Sequence, residues 1–186
     1  MKAGFVIATA ALLLAGCSEG TGETAEDAAE QVLLDKMAIA DLLNRYYEGF
    51  GTDNAAAFND FYTDDAVFDV NGIVANGKKE IEAIYAGLDE DGEAPTNVGT
   101  FHMVISNPVI DVDGDTATAK VLWTGIQNKD ISAPPTFVEQ GREYDKLVKV
   151  DGKWLIKHRV VVADSGLPPS MNATYTPRKD FSFDAK

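Results

Sequence analysis

The chain has 186 residues, one cysteine, two histidines, and 30 acidic against 16 basic side chains, a formal net charge of −14. Such a surface repels nucleic acid and anionic lipid headgroups. The length allows one domain with its own core, and a lone cysteine excludes a disulfide within the chain.

At the N-terminus, Lys2 opens a short positive region, and Ala3 to Ala15 is an apolar, small-residue run too short for a bilayer span. It ends Leu14-Ala15-Gly16-Cys17, which resembles a bacterial lipoprotein signal, where small residues precede a cysteine that is acylated after cleavage. The resemblance implies a signal peptide over residues 1–16 and lipidation at Cys17. Because Ser18, not Asp, follows the cysteine, it also implies an exported protein held at the periplasmic face of the outer membrane. Residues 17–30, including SEGTGETAEDAAE, are small, acidic and without aromatics, so they read as a flexible tether between lipid and domain.

A first helix is expected from about Glu30 to Phe50, because Ile39, Leu43, Tyr46 and Phe50 share one helical face and Gly49 and Gly51 follow. Asp53-Asn54 then caps a second short helix with Phe58, Phe61 and Tyr62 as its apolar face. Ala66 to Val70 reads as a short strand. Gly77 precedes a third helix with Ile81, Ile84, Tyr85 and Leu88, and residues 89–98 form a loop.

The remainder is strand-like. Phe101–Val112 and Thr116–Gln127 are joined by Asp113-Gly114, and Glu143–Val150 and Lys153–Ala163 by Asp151-Gly152, both hairpin signatures. Asp111, Asp113 and Asp115 surround the first turn, but the glycine is misplaced for a calcium loop, so a plain turn is expected. Residues 128–141, NKDISAPPTFVEQG, read either as a lid over a pocket mouth or as a passive hairpin extension. The extension over 164–186 carries Leu167, Met171, Tyr175, Phe181 and Phe183 and is too apolar for simple disorder. The whole is α+β: three N-terminal helices packed on one face of a curved, mostly antiparallel sheet.

Over residues 31–163 the order of elements and the segments DKMAIADLLNRYYEGF, FNDFYTDDAVFDVNG, HMVISNPVIDVDGDTATA and YDKLVKVDGKWLIKHRVVV resemble the SnoaL-like family of the NTF2-like superfamily. That group includes scytalone dehydratase, bile-acid dehydratase and steroid isomerase. The resemblance implies a cone with a pocket at its open end that takes a small apolar or polycyclic molecule. It implies a cofactor-free dehydratase or isomerase, or alternatively a non-catalytic ligand-binding or homodimerising lipoprotein.

Within that resemblance Tyr46 and His102 fall at the positions that orient oxygen and carry the proton. Strand parity groups His102 with Val104 and, if no bulge intervenes, with Ile110 and Val112, which would face it inward. His158 shares parity with Trp154, Ile156, Val160 and Val162. It is expected in a structural role or on the pocket floor, with Tyr62 and Trp123 as further substrate-contacting candidates of a kind that more often serve as packing residues. The family's aspartate after the helix-1 tyrosine is Gly51 here, and its second acid falls near Thr124-Gly125. The nearest substitutes, Asp53 and Asp69, read as a helix cap and a strand-edge charge. Two distant histidines and no second cysteine argue against a metal site. Without a G-x-G-x-x-G, P-loop or G-x-S-x-G motif, no nucleotide cofactor or hydrolase elbow is expected.

Overall fold

The computed structural model describes residues 24–49, 55–90, 99–167 and 176. Cys17, Phe50, Gly51, Asp53, Met171, Tyr175, Phe181 and Phe183 lie outside the described residues, and with them the expectations placed on them.

The first helix, α1, runs Ala25–Glu48 and so starts within the stretch expected to be a tether. Its start is fixed by a capping box: the Asp27 amide donates to Thr24 Oγ1 and the Thr24 amide to Asp27 Oδ2. The first turns are exposed, and Ile39, Leu42, Leu43, Tyr46 and Tyr47 form the buried stripe. The expected second α-helix is a 3-10 helix, Ala55–Phe61, so there are two α-helices, not three, among the described residues. Phe58 nevertheless packs inward, stacked on Tyr85 at 4.2 Å. The second α-helix, α2, spans Gly77–Glu90 and buries Ile81 and Tyr85.

Six strands form one sheet: β1 Tyr62–Val70, β2 Ile73–Asn76, β3 Thr100–Asp113, β4 Thr116–Asn128, β5 Thr136–Val150 and β6 Lys153–Ser165. Their spatial order is β2-β1-β6-β5-β4-β3. After the β1–β2 hairpin the chain passes through α2 to the far edge and meanders back, so β6 lies parallel to β1 while the other pairs are antiparallel. Two turns place both residues at positive φ, Asn71-Gly72 between β1 and β2 and Asp151-Gly152 between β5 and β6. In the β3–β4 turn only Gly114 of the expected Asp113-Gly114 pair does so. Residues 128–141 are largely strand: β4 and β5 lengthen and a short turn built on Asp130 joins them, with Ile131 and Phe137 exposed. The hairpin-extension reading holds.

The two helices and the 3-10 segment cover one sheet face and share a core with it. Tyr144, Val160 and Val162 form a second, separate cluster. By strand alternation they point to the opposite face. Leu167, just past β6, packs against the main core.

Bulges decide which side chains reach that core. Ser106 pairs with Leu122 and Val109 with Lys120, so Asn107 and Pro108 oppose Val121 alone; Asn107 sits at φ 53°. Ile156 pairs with Leu147 but His158 with Lys146, leaving Lys157 extra. Further bulges leave Val138 extra in β5 and Asp164 extra in β6. Each extra residue reverses the alternation beyond it. Pro108 also removes a donor from an edge strand, where proline is tolerated and discourages pairing with another chain.

Asp35 ties the upper part of α1 to the far end of the sheet. Its Oδ1 accepts from Trp154 Nε1 at 3.0 Å and lies 2.6 Å from Lys149 Nζ. Burial opposes ionisation, but the bonds from Lys149, Trp154 and Gln31 outweigh it and hold the carboxyl below its usual value. Removing this carboxylate strands a buried indole N–H and a half-buried ammonium. Asp35→Ala is expected to lower unfolding free energy by about 3 kcal/mol in urea denaturation.

Candidate active site

Arg159 is fully buried and organises the interior. Its Nε donates to Asp145 Oδ1 at 2.7 Å and its Nη2 to Asp145 Oδ2 at 3.3 Å. Its guanidinium lies 3.9 Å from the Tyr46 ring centroid. Glu143, also fully buried, has Oε1 3.1 Å from Arg159 Nη2, an ion-pair contact without hydrogen-bond geometry, while Oε2 accepts from the Tyr47 hydroxyl. Two carboxyls thus share one guanidinium away from water. Burial drives Glu143 well above the ordinary carboxylate range; Arg159 opposes this and Asp145 adds to it. Burial therefore favours the neutral form of Glu143. Burial likewise holds Tyr46 up to about 12 and Tyr47 and Tyr62 well above 10, so all three phenols stay neutral donors.

Beside this group lies a cavity of about 80 Å³. Its walls are mostly apolar, with Phe68, Val70, Ile84, Tyr85, Met103 and Val161 among them. Tyr46, Tyr47 and Trp123 supply polar edges, and the only carboxyls in the lining are Glu139 and Glu143. Trp123 Nε1 is buried without a hydrogen-bond partner, and Glu143 Oε1 has only its ion-pair contact with Arg159. The volume is roughly half the ~150 Å³ that admits a benzene ring.

Glu139 is the residue the sequence reading missed. It lies on β5 opposite Gly125, between the bulges at Val138 and Asp164. A side chain at Gly125 would sit 2.5 Å from Glu139 Cγ and 2.8 Å from Phe101, so the glycine makes room for the carboxyl. Gly166, at φ 82°, lets the chain cross Glu139 equally closely. Burial alone pushes Glu139 up to about 7, with no cation to oppose it. The available signals were Val138-Glu139 next to Gly141 and the glycine opposite, masked by reading 128–141 as a loop.

Of the expected site residues, Tyr46 and Trp123 line the cavity. Tyr62 is buried behind it, its hydroxyl 3.1 Å from that of Tyr46. His102 does not face inward: the Asn107-Pro108 bulge puts it out of phase with Ile110 and Val112, so Phe101, Met103 and Ile105 turn in and His102 is exposed. It borders a separate cleft of about 340 Å³ with Asn44, Glu48 and Phe101. His158 is corrected likewise, since the bulge at Lys157 gives Arg159 and Val161 the inward positions. Asp69 caps the Asn71-Gly72 turn through the Gly72 amide, 2.7 Å from its Oδ1. No cluster of three or more His, Cys, Asp or Glu among the described residues is placed to hold a metal ion.

A six-stranded sheet covered on one face by helices, with a cavity lined by carboxyls and phenols, defines the class, and sequence comparison supplies the family. The SnoaL-like domain profile matches residues 31–160, and the chain belongs to that family. No curated protein sequence matches significantly. Solved structures similar to it include a protein of unknown function from Mycobacterium tuberculosis, at 20% identity and TM-score 0.63 over 76% of this chain and 78% of that one. An NTF2-like protein with a cystatin-like fold from Novosphingobium aromaticivorans has 19% identity and TM-score 0.63 over 78% and 93%. A candidate scytalone dehydratase from the same organism has 20% identity and TM-score 0.59 over 73% and 87%. At these identities the likeness establishes the NTF2-like α+β fold.

The elevated Glu139 carboxyl has a stability signature. Its folded value lies above the unfolded one, so its contribution is intact below about pH 4.5 and is lost as pH rises to about 7. Compared with Glu139→Gln, the wild type should therefore lose up to about 3 kcal/mol between pH 4.5 and pH 8 in denaturant titrations; parallel curves would show Glu139 to be solvated.

Proposed function

We propose that the protein is a cofactor-free isomerase or lyase that moves a proton on a small apolar group, with Glu139 as the base. The observation that carries this reading is a carboxyl with no cation beside it, pushed by burial up to about 7 and lining a mostly apolar cavity. Near neutral pH it is ionised often enough to accept a proton and basic enough to take one from carbon next to a carbonyl. The enolate oxygen formed there accepts from Trp123 Nε1, which has no partner within the protein, and from the Glu143 carboxyl, whose neutral form burial favours. In isomerisation Glu139 returns the proton to the far end of the allylic system. In dehydration Glu143 protonates the departing hydroxyl. Two carboxyls whose surroundings favour different protonation states thereby divide base and acid roles. Tyr46, bonded to Tyr62 and stacked on Arg159, holds the wall against which the group sits.

The test uses pent-4-en-2-one, whose conversion to the conjugated pent-3-en-2-one is followed by ultraviolet absorbance. Turnover should rise with an apparent pKa near 7, and Glu139→Gln should lower it at least ~100-fold while the protein stays folded. Undiminished turnover in Glu139→Gln removes this assignment. The small cavity favours a second reading, a non-catalytic binding module, in which a ketone raises the melting temperature and is recovered unchanged.

The N-terminal sequence supports delivery of this domain on a lipid anchor at the periplasmic face of the outer membrane. Intact-mass measurement on membrane-extracted protein should find the acyl adduct at Cys17, and Cys17→Ser should appear in the soluble fraction.

A further inference from the structure

The 80 Å³ cavity admits only a few heavy atoms, which raises the question of where the rest of a substrate goes. The outer cleft, at about 340 Å³, is several times larger. Tyr47 and Met103 belong to the linings of both spaces, so they form the partition between them. Phe101 borders the cleft and also abuts Gly125, the residue opposite Glu139. Methionine is the side chain best suited to such a partition, because three rotatable bonds let it give way without a backbone shift.

The polar rim comes from two elements. Asn44, Tyr47 and Glu48 are three and four residues apart on α1 and share a face; His102 comes from the outward side of β3. An anionic group is disfavoured there by Glu48 and by the chain's net charge of −14. An ammonium would suit Glu48 but give the amide N–H of Asn44 no acceptor. A hydroxyl serves both, donating to the carboxylate while accepting from the amide or imidazole.

We infer that the two spaces are one bipartite site for an elongated substrate: a compact ketone end beside Glu139, an apolar middle between Tyr47 and Met103, and a hydroxyl-bearing end in the cleft of Asn44, Glu48 and His102. The inference deepens the proposed function and takes from it the position of the reacting end. It makes His102 a specificity residue and leaves proton transfer to Glu139. It also limits a polycyclic ligand to a pose in which one edge or substituent enters the inner space.

The experiment compares octan-2-one with 8-hydroxyoctan-2-one by NMR titration of the folded protein. The hydroxyl is expected to tighten binding about tenfold. In the same titration the ketone end should shift the Trp123 indole N–H and the hydroxyl end the His102 ring. His102→Ala and Asn44→Ala should each remove most of that tenfold advantage and leave the dissociation constant of octan-2-one unchanged. Equal affinity of the two ketones, equal weakening of both in the variants, or absence of binding by either would overturn the inference. Glu139→Gln separates it from the catalytic reading: the hydroxyl preference should survive there. A wild type that shows the preference but no pentenone turnover refutes the catalysis and leaves the bipartite site standing.

Discussion

The interior depends on one buried cation. Arg159 is the only described basic side chain enclosed completely, and two carboxyls from β5 converge on it. Asp145 takes two hydrogen bonds from it, whereas Glu143 has one ion-pair contact with it and accepts from the Tyr47 hydroxyl. Isolating an ion of this size from water carries a penalty of several kcal/mol that only close, well-directed partners offset. The arrangement therefore fixes the register of β5 against β6, because a slip of one residue would turn Glu143 and Asp145 to the other face. It also fixes Tyr46, whose ring lies over the guanidinium. The cavity walls inherit their positions from that constraint.

The chemistry of the site follows from unequal environments. Asp145 has two hydrogen bonds from the guanidinium; Glu143 has burial, a neighbouring acid and a single ion-pair contact with the same cation; Glu139 has burial and no cation in contact. Three carboxyls of one strand, at 139, 143 and 145, thus meet three different electrostatic conditions. In the proposed reaction these differences divide the roles of proton acceptor and proton donor. Glycine contributes by omission: a side chain at 125 would occupy the space that the Glu139 carboxyl uses, and one at 166 would strike the Val138 carbonyl and the Cα and Cβ of Glu139.

Bulges are the second determinant. Those at Lys157, Val138 and Asp164 lie in the strands that carry Arg159 and Glu139, and the one at Asn107-Pro108 governs β3. A bulge shifts the chain by one residue and so exchanges its two faces. The imidazoles of His102 and His158, natural first choices for proton transfer in a chain with only two histidines, both lie outside the inner cavity for this reason.

Much of the architecture was already determined by the amino-acid sequence. The apolar stripe Ile39-Leu43-Tyr46, the spacing of Ile81 and Tyr85, and the Asp151-Gly152 turn specify elements whose formation is governed by contacts near in sequence. Two further local signals were present and passed over, Thr24 with Asp27 at the head of α1 and Asn71-Gly72 between β1 and β2. The site was less legible. Tyr46 and Trp123 could be read from the stripe and the strand pattern, whereas Glu139 could not. Its importance arises from Gly125 across the ladder, Gly166 behind it and the apolar wall around it, all distant in sequence. Periodicity reports which face a residue shares with its neighbours only while the strand keeps its phase. Where an extra residue resets that phase, the pairing of whole strands in three dimensions decides what points inward, and that is information the tertiary structure alone contains.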